Sequence, residues 1–364
     1  MAELFGRRWT AEELSERVGR MDQAAGVRAF AFEDGPARGM RGLDVWTGSG
    51  LTFTVLPDRG MDIGAAHFAG RSLAWESSTG PVSPERYEPQ GLGWLRSFYG
   101  GLLTTCGLRH VGAPEEDAGE VWGLHGRVSH LSAQDVSVQR GWEGDAYRIR
   151  LRGRLVEAEV FKPTLELDRT IETHLGAREV RIADRVTNTG FAKSTAMLLY
   201  HVNLGWPLLA EGSRLLVSAD SVEPRNARAA AGTQEYAEMR PPTAGFEEQV
   251  YLMDPRADAR GQCCAALVNR DLDGGLAVSL SWPKATMPCL TQWKMMGRGT
   301  YVLGIEPCNA PLWPRERLRR EGRMPELEPG EAFETGLSVR IHVGPRELAV
   351  LEAGFGQGKS RNGR

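Results

Sequence analysis

The chain has 364 residues, 41% hydrophobic and 25% charged, with a net charge of −3. This is the balance of an ordinary globular protein, large enough to bury a core without disulfide or metal staples and without the basic footprint of a nucleic-acid binder. No apolar run approaches the roughly 18 residues that span a bilayer, and the five cysteines, with Cys263 and Cys264 adjacent, suit neither a disulfide framework nor a paired Cys-x-x-Cys metal site.

The first 20 residues lack the apolar stretch of a signal peptide, so reduced thiols and a cytoplasmic location are expected. Thr10 followed by Glu13 forms a capping-box signature, in which each side chain satisfies an orphan amide. A short helix is expected there, with Leu14 and Val18 on one face and Gly19 ending it. Residues 44–47 and 51–56 read as strands around Gly48-Ser49-Gly50, followed by the turn Pro57-Asp58-Arg59-Gly60.

Segments 129–139, 147–155, 165–173 and 179–186 then alternate apolar and charged residues with period two. Half-buried antiparallel strands require that pattern. Residues 221–255 break it, being rich in Ala, Glu and Pro, and read as a long loop or flap. Strands resume at 265–268 and 276–280 around Asp273-Gly274-Gly275, a hairpin signal, and the last spans 333–343. Many strands and few helices predict an all-β, antiparallel sandwich or barrel. The expected division is a helix and lead-in over 1–40, one domain over 41–350 and a flexible tail over 351–364.

Three polar clusters interrupt the alternation. His125 sits between Gly123 and Gly126, where the missing side chains let backbone approach a ligand. His201 and Asn203, two apart at the end of an apolar strand, share a face. Glu306 follows the apolar run Tyr301-Val302-Leu303. Read alone, a histidine between glycines is more often structural, and Glu306 before Pro307 would serve as a strand-end cap.

Leu124-His125-Gly126 resembles the L-H-G-G segment of aldose 1-epimerases, with Arg127 in place of the second glycine. His201-Val202-Asn203-Leu204 is similar to their H-x-x-x-N-L segment, one residue shorter, and Glu306 stands where that family carries a late catalytic glutamate. Pro-Asp-Arg-Gly-Met-Asp at 57–62 resembles the divergent DUF4432-type branch. The resemblance spans roughly Asp44 to His342 and implies a galactose-mutarotase-like β-supersandwich that acts on a small sugar without a cofactor. It makes Glu306 the base and His201 the acid of anomer interconversion, with His125 hydrogen-bonding the sugar. That assignment needs an ionised Glu306 beside a protonated His201, which their mutual field favours.

Further substrate-binding candidates are Asn203, Arg59 (oriented by Asp58 or Asp62), Gln292 with Lys294 for hydroxyls or an anionic group, and Trp293 as an aromatic platform. Arg127 and Lys294 point to a charged sugar. Two other readings use the same cleft: a metal-dependent isomerase on His125, His201 and Glu306, or a carbohydrate-binding protein without catalysis.

Overall fold

The computed structural model describes residues 2–356 and is built from two large antiparallel sheets packed face to face. One sheet carries eight strands in the order Gln134–Glu143, Ala146–Glu157, Leu165–His174, Glu179–Asn188, Ala332–Val343, Leu276–Pro283, Gln262–Asn269 and Arg214–Val217. The other runs Ala219–Pro224, Gln249–Pro255, Cys289–Gly297, Thr300–Cys308, Met197–Leu204, Leu103–Leu108, Asp62–Phe68, Leu51–Leu56, Arg41–Trp46 and Gly26–Ala31. The short strand Arg71–Ser72 adds to Asp62–Phe68 as its eleventh member.

The period-two segments form the eight-stranded sheet, as their pattern requires. In Ala146–Glu157 and Leu165–His174 the apolar set faces the core while Arg150, Arg154, Glu166 and Glu172 form ion pairs on the opposite face. The exception is 129–139, where Val128–His130 is a 3₁₀ turn and the strand begins at Gln134. Met197–Leu204 differs because every residue in it is buried. Its even-numbered side chains, Leu198, Tyr200, Val202 and Leu204, fill the space between the sheets, and its odd-numbered ones face outward under a cover of loops.

The termini depart from expectation. The capping box is present, with Thr10 Oγ1 accepting from Glu13 N at 3.1 Å and Glu13 Oε2 from Thr10 N at 2.9 Å, but the helix covers only Ala11–Ser15. Gly26–Ala31 pairs with Arg41–Trp46, so the sheet crosses the expected 40/41 boundary. At the other end, Gly344–Gly356 is a helix, so residues 351–356 are no flexible tail; 357–364 lie outside the described residues. The expected 221–255 loop is a strand at both ends, Ala219–Pro224 and Gln249–Pro255, with an excursion between them that holds the short helix Ala227–Ala231. Pro224 is tolerated because Ala219–Pro224 is an edge strand, where a missing N–H breaks no ladder. Among the described residues, no helix is long and apolar enough to cross a membrane.

A fully buried charge cluster ties the two sheets together. Arg169, from the eight-stranded sheet, donates to both oxygens of Asp184 (2.9 and 2.6 Å). It also reaches across the core to Asp62 Oδ1 (3.1 Å), Thr105 Oγ1 (2.8 Å) and the Gly60 carbonyl (3.0 Å). Tyr200 closes the cluster by donating its hydroxyl to Asp184 at 2.9 Å. Burial pushes the Asp62 carboxyl up to about 6 against the pull of Arg169 and the Thr105 hydrogen bonds. Removing one partner of a buried pair strands the others without compensation, so Arg169→Met is expected to cost about 3–5 kcal/mol of stability, read by chemical denaturation.

Candidate active site

Ladder register brings the site together. His201 pairs with Thr104 on one side, and on the other Val202 pairs with Ile305, which sets His201 opposite Glu306. Thr291 pairs with Glu306, and Trp293 with Gly304, so Trp293 stands on the same outward face. His201 Nε2 lies 3.3 Å from Glu306 Oε1, with the two residues only 4% and 2% exposed.

Gly304 makes this approach possible. A Cβ there would sit 2.5 Å from Glu306 Oε1, 3.4 Å from His201 Cε1 and 3.0 Å from Trp293 Cβ. The carboxyl, the imidazole and the indole thus converge on the one strand position that carries no side chain. Gly304→Ala is expected to push the carboxyl off the imidazole.

Aromatic rings wall the pair. Ring centroids lie 5.5 Å from His201 for Trp293, 5.3 Å for Phe98 and 5.8 Å for His125, and Trp94 stacks on Phe98 at 4.4 Å. His125 has a positive φ of 59°. Its flanking glycines serve backbone packing: a Cβ at Gly123 would meet the Pro89 carbonyl at 2.0 Å, and one at Gly126 the Gly107 and His110 carbonyls at 2.4 Å. Gly112 N–H donates to His125 Nδ1 at 3.4 Å, which assigns the ring proton to Nε2 as a donor. Burial, with the neighbouring His201, His110 and Arg225 adding to it, holds the His125 ring well below the usual histidine range and therefore neutral.

Electrostatics correct one expectation. Burial pushes the Glu306 carboxyl up to about 8, partly offset by Arg225 and reinforced by Glu248. Burial pushes His201 down to about 4, although the Asn203 amide favours its protonated form. Loss of water outweighs the mutual attraction, so the resting pair is a neutral carboxylic acid beside a neutral imidazole, not the ion pair the resemblance required. The pair still holds one proton.

Of the other candidates, only Trp293 joins the pair directly. Asn203 is buried, donating Nδ2 to the Gly101 carbonyl (3.1 Å) and the His201 carbonyl (2.9 Å), so it fixes the histidine's backbone. Gln292 and Lys294 face the other side of the sheet, because side chains alternate along the strand and only one parity can meet Glu306. Gln292 donates to the Tyr236 carbonyl at 2.7 Å, and Lys294 to the Glu235 and Glu238 carbonyls at 2.7 and 2.6 Å. Arg127 is exposed, near Tyr87 and Glu157.

Arg59 is also not a sugar fork. It is buried and donates to the carbonyls of Ser129 (2.7 Å), Val82 (2.6 Å) and Ser97 (3.0 Å), anchoring the loop that delivers Trp94 and Phe98. Neither Asp58 nor Asp62 orients it: Asp58 binds Arg41, and Asp62 binds Arg169. Among the described residues, no group of three or more His, Cys, Asp or Glu side chains is placed to hold a metal ion, so the two-His, one-carboxylate set is not assembled.

Several residues of the site escaped the sequence reading. Arg225 and Glu248, at the two ends of the excursion, form an exposed ion pair at 2.8 Å, and Glu248 Oε2 accepts from Trp293 Nε1 at 2.9 Å. Their sequence signal is nil, since both are charges in a polar stretch. Trp94 and Phe98 announced themselves only as an aromatic-rich patch, Trp94-Leu95-Arg96-Ser97-Phe98-Tyr99, without strand period.

Comparison with known proteins places this geometry in context. The family profile described as Domain of unknown function (DUF4432) matches residues 37–341. A Klebsiella pneumoniae protein proposed to be an aldose 1-epimerase is similar over 94% of this chain and 91% of its own, with 28% identity and a TM-score of 0.88. A galactose mutarotase-like protein from Clostridium acetobutylicum (12% identity, 88% and 99% coverage, TM-score 0.62) shares the fold. So does galactose 1-epimerase from Lactobacillus acidophilus (12% identity, 88% and 100% coverage, TM-score 0.58). A search of curated proteins returned no match.

The opposed influences of Arg225 and Glu248 give a test independent of any substrate. Arg225→Ala removes a cation that lowers the Glu306 titration and is expected to move it to higher pH; Glu248→Gln removes an anion that raises it and moves it lower. Carboxyl ¹³C shifts in protein labelled at glutamate, assigned by Glu306→Gln, read both directions.

Proposed function

The chain belongs to the DUF4432 family, and on that premise we propose that it is an aldose 1-epimerase-like enzyme that interconverts the anomers of a reducing sugar. The observation that carries this reading is the water-shielded His201–Glu306 contact at 3.3 Å, holding one proton between two groups. Ring opening needs that inventory. A base takes the proton from O1 while an acid gives one to the ring oxygen; the bond from C1 to the ring oxygen breaks and an aldehyde forms. Rotation about C1–C2 and the reverse transfers then yield the other anomer.

Both oxygens are bonded to C1, so two groups in contact with each other serve them from one side of the sugar. The neutral acid–imidazole pair and the carboxylate–imidazolium pair contain the same proton count and differ only in which of the two groups, 3.3 Å apart, carries the proton. Shifting that proton from Glu306 to His201 on sugar binding produces the base and the acid without exchange with solvent. His125, neutral with Nε2–H as donor, supplies a hydrogen bond to the sugar oxygens, and Trp293 and Phe98 offer faces for its C–H side. The substrate class is a neutral aldose: Arg127 and Lys294 lie away from the pair, and Arg225 is offset by Glu248.

Anomer exchange measured by saturation-transfer NMR across neutral and acidic sugars tests the proposal. Glu306→Gln and His201→Asn are each expected to lower the catalysed rate about 10²–10⁴-fold. Saturable sugar binding with no exchange by the wild type would make the protein a binding module instead. The pH profile follows from the proton count. Below about 4 His201 gains a second proton and no base remains; above about 8 Glu306 loses its proton and no acid remains. A bell-shaped kcat/KM with limbs belonging to the pair as a whole is expected.

A further inference from the structure

Two residues beyond Glu306 on the same strand stands Cys308, directly opposite Cys289 in the ladder. Side chains directly opposite in an antiparallel pair stand on the same face, with Cα atoms about 4.5–5.5 Å apart, inside the ~4.4–6.8 Å window a disulfide accepts. Both thiols are free, and Arg323 Nη2 lies 3.6 Å from Cys289 Sγ. Cys289, at 9% exposure, is the more accessible of the two, whereas Cys308 is sealed.

The other cysteines have no such partner. Cys263 and Cys264 are adjacent on one strand and point to opposite faces, and Cys106 lies two strands from Cys308 with Leu199 paired between them.

We propose that Cys289 and Cys308 form a modification site, a reversible disulfide made by reaction with a low-molecular-weight disulfide. Cys289 is the attacking sulfur and Cys308 the resolving one. The Cys308 thiol directly opposite, with Arg323 and Lys284 nearby, draws the Cys289 thiol below its ordinary value despite burial; the same pairing, together with burial, raises Cys308. The proton therefore rests on Cys308 and the nucleophilic character on Cys289.

In the first step the Cys289 thiolate attacks one sulfur of the reagent, forming a mixed disulfide and releasing one thiolate. In the second, Cys308 gives up its proton and attacks Cys289 Sγ, expelling the other half of the reagent. Two protein thiols are oxidised and one external disulfide is reduced to two thiols. The crosslink fastens Cys289–Gly297 to Thr300–Cys308, the hairpin that carries Trp293 and Glu306.

The test uses the folded wild-type chain and 2,2′-dithiodipyridine, with readouts that do not depend on any sugar chemistry. The expected result is a crosslinked Cys289/Cys308 peptide lighter by two hydrogens, release of two pyridinethiones per pair, an upward shift in Tm, and reversal of all three by dithiothreitol. Cys308→Ser should stop at a stable pyridyl adduct on Cys289 with one thione released, and Cys289→Ser should remove the reaction at both positions. A wild-type protein that keeps a stable adduct on Cys289, or whose Cys264 reacts while Cys289 and Cys308 stay reduced in the native state, overturns the proposal.

Discussion

Everything in the site hangs from the buried Arg169 cluster. It is a polar bond between the two sheets, and its partners sit immediately behind the face that carries His201 and Glu306. Tyr200, which donates to Asp184, is the neighbour of His201, and Thr105, which binds Asp62, is the neighbour of Thr104, the residue paired with His201. Because adjacent residues on a strand face opposite sides, fixing Tyr200 and Thr105 inward fixes His201 and Thr104 outward. A one-residue slip would bury the histidine in the core and expose the tyrosine. A guanidinium satisfied by two carboxylates, a hydroxyl and a carbonyl forbids that slip more strictly than apolar packing alone, since every alternative register leaves a charge unpaired.

The same exclusion of water that makes the cluster demanding sets the chemistry on the other face. Glu306 and His201 are both moved toward their neutral forms by burial, in opposite directions on the pH scale, which spreads their titrations far apart and leaves a wide range in which the pair holds one proton. Two exposed groups at ordinary values near 4.5 and 6.5 would be singly protonated in the same count only over a narrow interval, and then always as carboxylate and imidazolium. Burial thus supplies a proton that can be repositioned within the pair, and the exposed Arg225–Glu248 couple at the rim trims the carboxyl's position in both senses.

What the sequence makes legible follows from which signals are local. Alternation in 147–155, 165–173 and 179–186 is a property of each strand by itself, so the all-β antiparallel fold can be read directly. His201 and Glu306 stand out because each ends an apolar run, and a resemblance joins them. Parity would have separated Trp293 from Gln292 and Lys294, since three consecutive strand residues cannot share a face. Arg59 and Gly304 were out of reach: the first spends its donors on carbonyls 23, 38 and 70 residues away, and the second matters only because three side chains from different positions converge on it. The ends of the 221–255 segment were missed because proline and glutamate content masked the strand Gln249–Pro255, whose burial depends on neighbours the segment does not contain.

Burial of the pair carries a mechanical consequence. A sugar cannot reach two residues that are 4% and 2% exposed unless part of their cover moves. The strands beneath them are locked by ladder hydrogen bonds and by the Arg169 cluster, so the motion falls to what lies above. One part of that cover, the segment bearing Trp94 and Phe98, is fastened through the Ser97 carbonyl to buried Arg59, whose removal from its three acceptors would orphan a charge. The other, the Arg225–Glu248 pair at the two ends of the excursion, rests on an exposed ion pair and one indole hydrogen bond to Trp293, contacts that water replaces at small cost, whereas the body of the excursion is fastened to Gln292, Lys294 and Tyr251. Of the two, the exposed pair is the weaker fastening. The residues of this weaker fastening, Arg225 and Glu248, are also the two whose charges move the Glu306 titration, Arg225 lowering it and Glu248 raising it, so any change in the pair alters the field in which the carboxyl titrates.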